Sequence, residues 1–412
     1  MGIIEQIRKN VFLISIDEKR KTQDGKIKKF ENLWYLPNGI SYNSYLILDT
    51  EKNILIEAID HPFIEEYIRL IETVISPDKI DIIIFNHLEP DHCGGILELL
   101  KKAKNAVIIL STKGEKIFRT LYTEIPSNKI VIVNDDEIST GEYTFKFISA
   151  PYLHWPETMF TYLKEENILF TCDAFGAYTS LNKKIYSTEH EWSLLEKEAK
   201  RYYSTIISPY AKFVQKALTN LKNEINSDMK IKLIAPSHGP LHNKTIDKII
   251  ELYDNWSIGK TIEKVVIIFG SMYGHTAKYV DELVSELKIR DINVEALDVS
   301  YIDVSEILSK LLDAGVIVFA TPTYDAYMFP PLEYILMLIN HKRFASRPVG
   351  LIGKCSWSGG GLKKLRKQIE EDLKFPIIEP IIELRGEKPE SELTNEIALL
   401  ANNISEIIIS KY

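Results

Sequence analysis

DIIIFNHLEPDHCGG, residues 81–95, decides how this 412-residue chain is read. Its first part, DIIIFN (81–86), is a short apolar run of the length of a buried strand. Its second part sets His87, Glu89, Asp91 and His92 within six residues, followed by Cys93, Gly94 and Gly95. One metal ion can use only some of these imidazoles and carboxylates. A bridging carboxylate and further histidines from other strands would complete a two-metal site.

Three other segments have the same form. His154 lies just beyond TFKFISA (144–150), Asp173 ends NILFTCD (167–173), and His238 follows IKLIAPS (231–237). Each ligand-type residue falls at or just past an apolar strand, and in layered α/β folds sites gather along that rim. A lone histidine after a strand is usually a hydrogen-bonded loop residue. Four such segments together reverse that reading. Imidazole with carboxylate suits iron, manganese or zinc, and three or more carboxylates favour a hard, redox-capable metal over structural zinc. Cys93 and Cys172 read as packed thiols. No catalytic residue is expected beyond the metal ligands.

Outward from this motif, apolar runs and helical periodicities alternate, which indicates α/β layers. Strands are expected at 11–17, 44–50, 53–58, 81–86, 106–110, 129–133, 144–150, 167–173 and 231–237. Helices are expected near 62–76, 94–104, 113–122, 191–204, 208–226 and 245–258, and the charged segment 17–29 reads as an exposed hairpin or loop. The pattern restarts at IEKVVIIFG (262–270), and strands near 292–298, 315–320, 347–353 and 376–384 then alternate with helices. We therefore expect two domains, 1–258 and 262–412, the second a doubly wound sheet of five parallel strands.

Directly after IEKVVIIFG, the residues Ser271, Met272, Tyr273, Gly274, His275 and Thr276 form a turn that opens a helix. Hydroxyls and backbone N–H groups at a helix start suit a phosphate. Neither G-x-x-x-x-G-K nor G-x-G-x-x-G is present, so a terminal monophosphate such as that of FMN fits better than a nucleoside triphosphate or a dinucleotide. His275 reads as a helix-start residue offering its amide, and His61, His190, His242 and His341 as surface or capping residues. Two later loops end neighbouring strands, TPTYDAYMFPP (321–331) and SWSGGG (356–361). Thr323, Tyr324, Asp325 and Trp357 would lie near a flat ring there, with Pro322, Ser356 and Gly359 as further cofactor-binding residues.

Bulk properties exclude several classes. The composition is 45% hydrophobic and 26% charged, as in a globular protein. A net charge of −8 leaves no basic footprint for nucleic acid. No apolar run is long enough for a transmembrane helix, and the N-terminus lacks an apolar signal core. Cys93, Cys172 and Cys355 form no C-x-x-C pair, which argues against zinc ribbons, iron–sulfur clusters and disulfide frameworks and fits a reducing cytoplasm.

The motifs together resemble those of the flavodiiron proteins. The family pattern H-x-E-x-D-H matches His87, Glu89, Asp91 and His92; LHWPETMFTYL matches at His154, TCDAFGA at Asp173 and APSHGP at His238. PNGISYNSYL (37–46) is similar to the family's N-terminal signature, and hydrolytic relatives usually carry histidine where Glu89 stands. The resemblance implies a metallo-β-lactamase-like αββα sandwich followed by a flavodoxin-like domain. It implies one iron held by His87, Glu89 and His154, a second by Asp91, His92 and His238, with Asp173 bridging. It further implies reduction of oxygen to water with electrons relayed through FMN, or of nitric oxide to nitrous oxide. A head-to-tail homodimer or homotetramer is implied, as is an external donor such as rubredoxin or a reduced deazaflavin. Many members carry a histidine ahead of the signature, where this chain has Glu31. Rival classes are a zinc hydrolase with a flavodoxin-like accessory domain, and a plain electron carrier.

Overall fold

A computed structural model describes residues 2–26, 28–134, 136–227, 229–385 and 390–411; Ile27 of the charged loop lies outside them. The chain forms two compact units, Met1–Ser257 and Ile258–Tyr412.

The first sheet of the first unit runs in chain order through seven strands. These are β1 (Ile3–Arg8), β2 (Val11–Asp17), β3 (Ser41–Ile47), β4 (Ile54–Ile56), β5 (Ile82–Ile84), β6 (Val107–Ser111) and β7 (Ile130–Val133). β1 to β4 pair antiparallel and β4 to β7 parallel. The parallel crossovers use α1 (Ile64–Glu72), α2 (Pro90–Cys93), α3 (Ile96–Lys102) and α4 (Thr112–Leu121). The second sheet has the order β12-β11-β10-β9-β8, from β8 (Glu137–Ser139), β9 (Thr144–Ser149), β10 (Met159–Leu163), β11 (Ile168–Cys172) and β12 (Leu233–Pro236). Between β11 and β12 lie α5 (Trp192–Tyr202) and α6 (Ala211–Asn226), and α7 (Ile246–Ser257) closes the unit.

One apolar core joins the sheets. Leu13, Tyr45, Ile56, Ile84 and Ile109 from the first sheet meet Phe145, Phe147, Met159, Phe170 and Leu233 from the second. Alternation explains the choice: in FLISI of β2 or FKF of β9, every second side chain faces the other sheet. The result is an αββα sandwich. β1, β8 and β10 add to the strands read from sequence. All five residues of β10 are buried, so it lacks the alternation that marks a half-exposed strand. β11 and β12 pair parallel with Cys172 opposite Pro236, so Asp173 and His238 leave the sheet at the same edge.

The second unit has the parallel order β14-β13-β15-β17-β18. Its elements are β13 (Ile262–Phe269), α8 (His275–Ile289), β14 (Val294–Asp298), α9 (Val304–Leu311), β15 (Ala314–Tyr324), β16 (Tyr327–Met328), α10 (Pro330–His341), β17 (Val349–Cys355), α11 (Gly360–Lys367), β18 (Ile377–Arg385) and α12 (Glu390–Lys411). Chain order thus reverses beside β13, which is the flavodoxin-like switch point where ligands bind. One face of the sheet packs on α8 and α12 through Val265, Ile267, Val318 and Ile382. β16 pairs antiparallel with the end of β15 across Asp325 and Ala326, both left-handed at φ 47° and 64°, the backbone of a type I′ turn.

The shared core predicts that Phe145→Ala destabilises the first unit by about 3–5 kcal/mol, whereas Ile132→Ala, on an exposed face of β7, changes it by under about 0.5 kcal/mol. Denaturant unfolding of the two variants checks this, and equal losses would contradict the sandwich core.

Candidate metal centre and flavin pocket

The two oxygens of Asp173 face different partners. Oδ2 lies 2.8 Å from His154 Nε2 and 3.6 Å from His87 Nε2. Oδ1 lies 2.9 Å from His92 Nε2 and 3.3 Å from His238 Nε2. Glu89 Oε2 closes the first group, 3.0 Å from His154 Nε2 and 3.3 Å from His87 Nε2. Asp91 closes the second, with Oδ1 3.4 Å from His92 Nε2 and Oδ2 3.3 Å from His238 Nε2. The donor atoms of His87, Glu89, His154 and Asp173 lie within 4.8 Å of one another, and those of Asp91, His92 and His238 do likewise. All seven sequence candidates are therefore brought together, as two donor groups joined at one carboxylate.

Their chemistry fits a pair of cations. Both oxygens of Asp91, Oδ1 of Asp173, and Nε2 of His92, His154 and His238 are buried and make no hydrogen bond. They face one another at short range without hydrogen-bond angles. Buried polar atoms are costly in that state unless something else satisfies them. Three carboxylates packed together are also a negative cluster that burial does not tolerate without counter-charge. Burial alone would lower the histidine pKa values. The close carboxylates of Asp173 and Glu89 nevertheless lift His154 to about 9, and those of Asp173 and Asp91 lift His238 to about 10. These shifts express the pull of the carboxylates on any positive charge placed among them.

The supporting layer is ordered. His87 Nδ1 lies 2.8 Å from Glu157 Oε1, which also accepts the Leu88 N–H at 3.0 Å. His238 Nδ1 donates to the Ser41 carbonyl at 2.9 Å. Such partners fix the ring tautomer and leave Nε2 free for a metal. The PNGISYNSYL segment clamps APSHGP: Ser41 Oγ accepts the Gly239 N–H at 2.8 Å, and Asn43 Nδ2 donates to the carbonyls of Pro236 and Gly239 at 3.0 and 2.8 Å. Glu157 was not a sequence candidate. Its only signal is a carboxylate three residues after a candidate ligand, and its partner is 70 residues away.

Glu31 lies at the mouth of this centre. It lines a cavity of about 190 Å³ with Arg20, Tyr42, Asp60, Glu89 and Asp91. Its Oε2 accepts the Trp34 indole N–H at 2.9 Å. His61 and His341 are exposed, as the surface reading expects. His242 is a correction: it is 1% exposed, with Nε2 3.0 Å from the Phe175 carbonyl.

In the second unit, a cavity of about 310 Å³ opens at the carboxyl ends of β13, β15 and β17. Met272, Tyr273, His275 and Thr276 line it from the first loop, Pro322, Thr323, Tyr324 and Asp325 from the second, and Ser356 and Trp357 from the third. Ser271, Gly274 and Gly359 are not in the lining. Ser271 Oγ accepts the Ala277 N–H at 3.2 Å, and Gly274 starts α8 at φ 81° with nothing near its Cβ position. Lys354 and Cys355, the last residues of β17, and Ser358 in the loop after it also line the cavity and were not sequence candidates. Trp357 is 79% and Tyr273 84% exposed. Large rings left uncovered beside a cavity at a switch point fit a flat aromatic group with its phosphate at the α8 start.

Comparisons with known proteins agree. The family described as ODP family beta lactamase matches residues 40–239. The chain is 30% identical to Flavo-diiron protein FprA2 of Clostridium acetobutylicum over 89% of its own length and 90% of that protein. It is 32% identical to a protein of Moorella thermoacetica named nitric oxide reductase, over 84% of each. The solved structure of the flavodiiron protein from Giardia intestinalis superposes with a TM-score of 0.91 at 25% identity, over 99% of this chain and 97% of that one. With these relatives aligned along nearly its whole length, the chain belongs to the flavodiiron proteins and is an oxidoreductase.

Proposed function

We propose that the chain reduces molecular oxygen to water at a di-iron centre held by His87, Glu89, Asp91, His92, His154, Asp173 and His238, with electrons relayed through FMN seated in the second unit. The observation that carries this reading is the division of Asp173 between two donor groups, one at each oxygen. When bound, the irons and FMN supply the electron transfer. The chain's residues hold and shield. Glu157 and the Ser41 carbonyl orient His87 and His238. Phe30, Tyr42 and Tyr202 pack their rings 5.5, 5.5 and 5.7 Å from that of His238 and keep bulk water from it. Glu89, Asp91 and Asp173 would give the irons a carboxylate-rich donor set, which suits a hard, redox-capable metal.

Reduction of nitric oxide to nitrous oxide is the second reading, favoured by the name of the Moorella relative. Electrons come from an external donor, a rubredoxin or a reduced deazaflavin. The exposed rings of Tyr273 and Trp357 support a head-to-tail homodimer that covers the flavin. Three buried free thiols support a reducing, cytoplasmic setting.

Anaerobically purified, pre-reduced protein is expected to carry two irons and one FMN per chain and to consume oxygen faster than nitric oxide, with Asp173→Asn abolishing consumption. Faster nitric oxide turnover would move the assignment to the second reading. Slow use of both gases at full loading, or a zinc-dominated centre with hydrolytic activity, would overturn both.

Glu157→Leu is expected to weaken iron binding by about 10- to 100-fold, because His87 loses its orienting acceptor. Glu157→Gln keeps an acceptor oxygen and should lose much less. Competitive chelator titration distinguishes the two, and equal iron affinity in Glu157→Leu would remove Glu157 from the centre.

A further inference from the structure

The turn that presents Asp173 is held from outside itself. Cys172 and Phe175, either side of it, are left-handed at φ 52° and 67°, a conformation unfavourable for residues with a side chain. The turn's own bonds are few: Ala174 N–H to the Thr171 carbonyl at 3.2 Å, Thr171 Oγ1–H to the Ala174 carbonyl at 2.8 Å, and Gly176 N–H to the Asp173 carbonyl at 3.2 Å. Two of these close on the backbone ahead of Phe175.

His242 grips the far side. Its Nε2 is 3.0 Å from the Phe175 carbonyl, and its Nδ1 is 3.1 Å from Thr245 Oγ1. A carbonyl can only accept, so Nε2 carries the proton. In a neutral ring Nδ1 is then the acceptor and takes the Thr245 hydroxyl proton. Thr245 Oγ1 in turn lies 2.6 Å from Ser187 Oγ, whose hydroxyl is left to donate. The order Ser187 to Thr245 to His242 to the Phe175 carbonyl is therefore set by the last acceptor. Burial depresses the imidazole to about 4, which keeps the ring neutral and this order intact. The backbone of His242 is fixed as well, paired in both directions with Ile234 of β12 at 2.9 Å. β12 leads to His238. One buried residue thus joins the two segments that deliver Asp173 and His238.

We propose that His242 is a positioning residue for the metal centre, aiming the Asp173 carboxylate by holding the Phe175 carbonyl. This rests on the reading that Asp173 is shared between two metals. The test compares wild type, His242→Leu, His242→Gln and Thr245→Val as full-length, FMN-loaded protein. Iron per chain, iron affinity by chelator competition, the spin coupling between the two irons and the melting temperature are measured. His242→Leu is expected to bind iron about tenfold or more weakly and to lose coupling. His242→Gln, whose amide can both donate to Phe175 and accept from Thr245, should recover most of both. Thr245→Val, which removes only the hydroxyl that orients the ring, should fall between them and reads the proposal if His242→Leu does not fold. Variants that melt earlier yet keep wild-type iron affinity and coupling would show a merely structural histidine and overturn the proposal. Wild-type protein that binds fewer than two irons would instead bring down the parent reading of Asp173.

Discussion

The first unit depends on one electrostatic constraint: a cluster of carboxylates and imidazoles must be buried together and still be satisfied. Asp173 sits at its centre, within reach of four histidines. Burial disfavours its charge, yet the surrounding imidazoles hold its carboxyl well below the usual range. The sandwich meets the constraint by supplying the members from strand ends that open on one edge. The parallel pairing of β11 with β12 places Asp173 and His238 side by side, and β5 brings the dense motif that begins at His87. Glu57, fully buried near this edge, accepts the Asn86 N–H, and burial lifts its carboxyl to about 8. Burial thus opposes a further negative charge beside the cluster.

The second unit solves a simpler problem with less burial. Its ligand needs a flat face and a place for an anion, and both come from loops after parallel strands. The reversal of strand order beside β13 separates these loops enough to leave a cavity. The Asp325–Ala326 turn folds the end of β15 back on itself, which holds Tyr324 at the rim while Met328 goes into the core. Rigid scaffold and exposed aromatics are thus joined within a few residues.

Much of this was legible in the chain. Histidines and carboxylates placed just after apolar runs have few structural explanations when four segments show them together. The strand, hydroxyl-rich turn and helix that start the second unit are equally plain. The two supporting residues that escaped the sequence share one property, dependence on distant contacts. Glu157 acquires meaning only through His87, 70 residues away, and His242 only through Phe175, 67 residues away. His242 looks like any histidine before a helix until its ring is found in the core. β10 escaped for another reason: MFTYL is buried on both faces, so its pattern carries no period.

The cysteines carry a consequence for a protein that handles oxidants. Peroxide attacks the thiolate, and reaction requires both access and an ionised sulfur. All three thiols are buried, and burial pushes those of Cys93 and Cys172 far above the ordinary thiol range. Cys93 additionally donates to the Leu88 carbonyl at 3.2 Å, within the ligand motif itself. Peroxide reaching Cys93 or Cys172 would therefore meet protonated sulfur in closed packing. The fold thus keeps the two thiols beside the ligand residues unreactive towards peroxide.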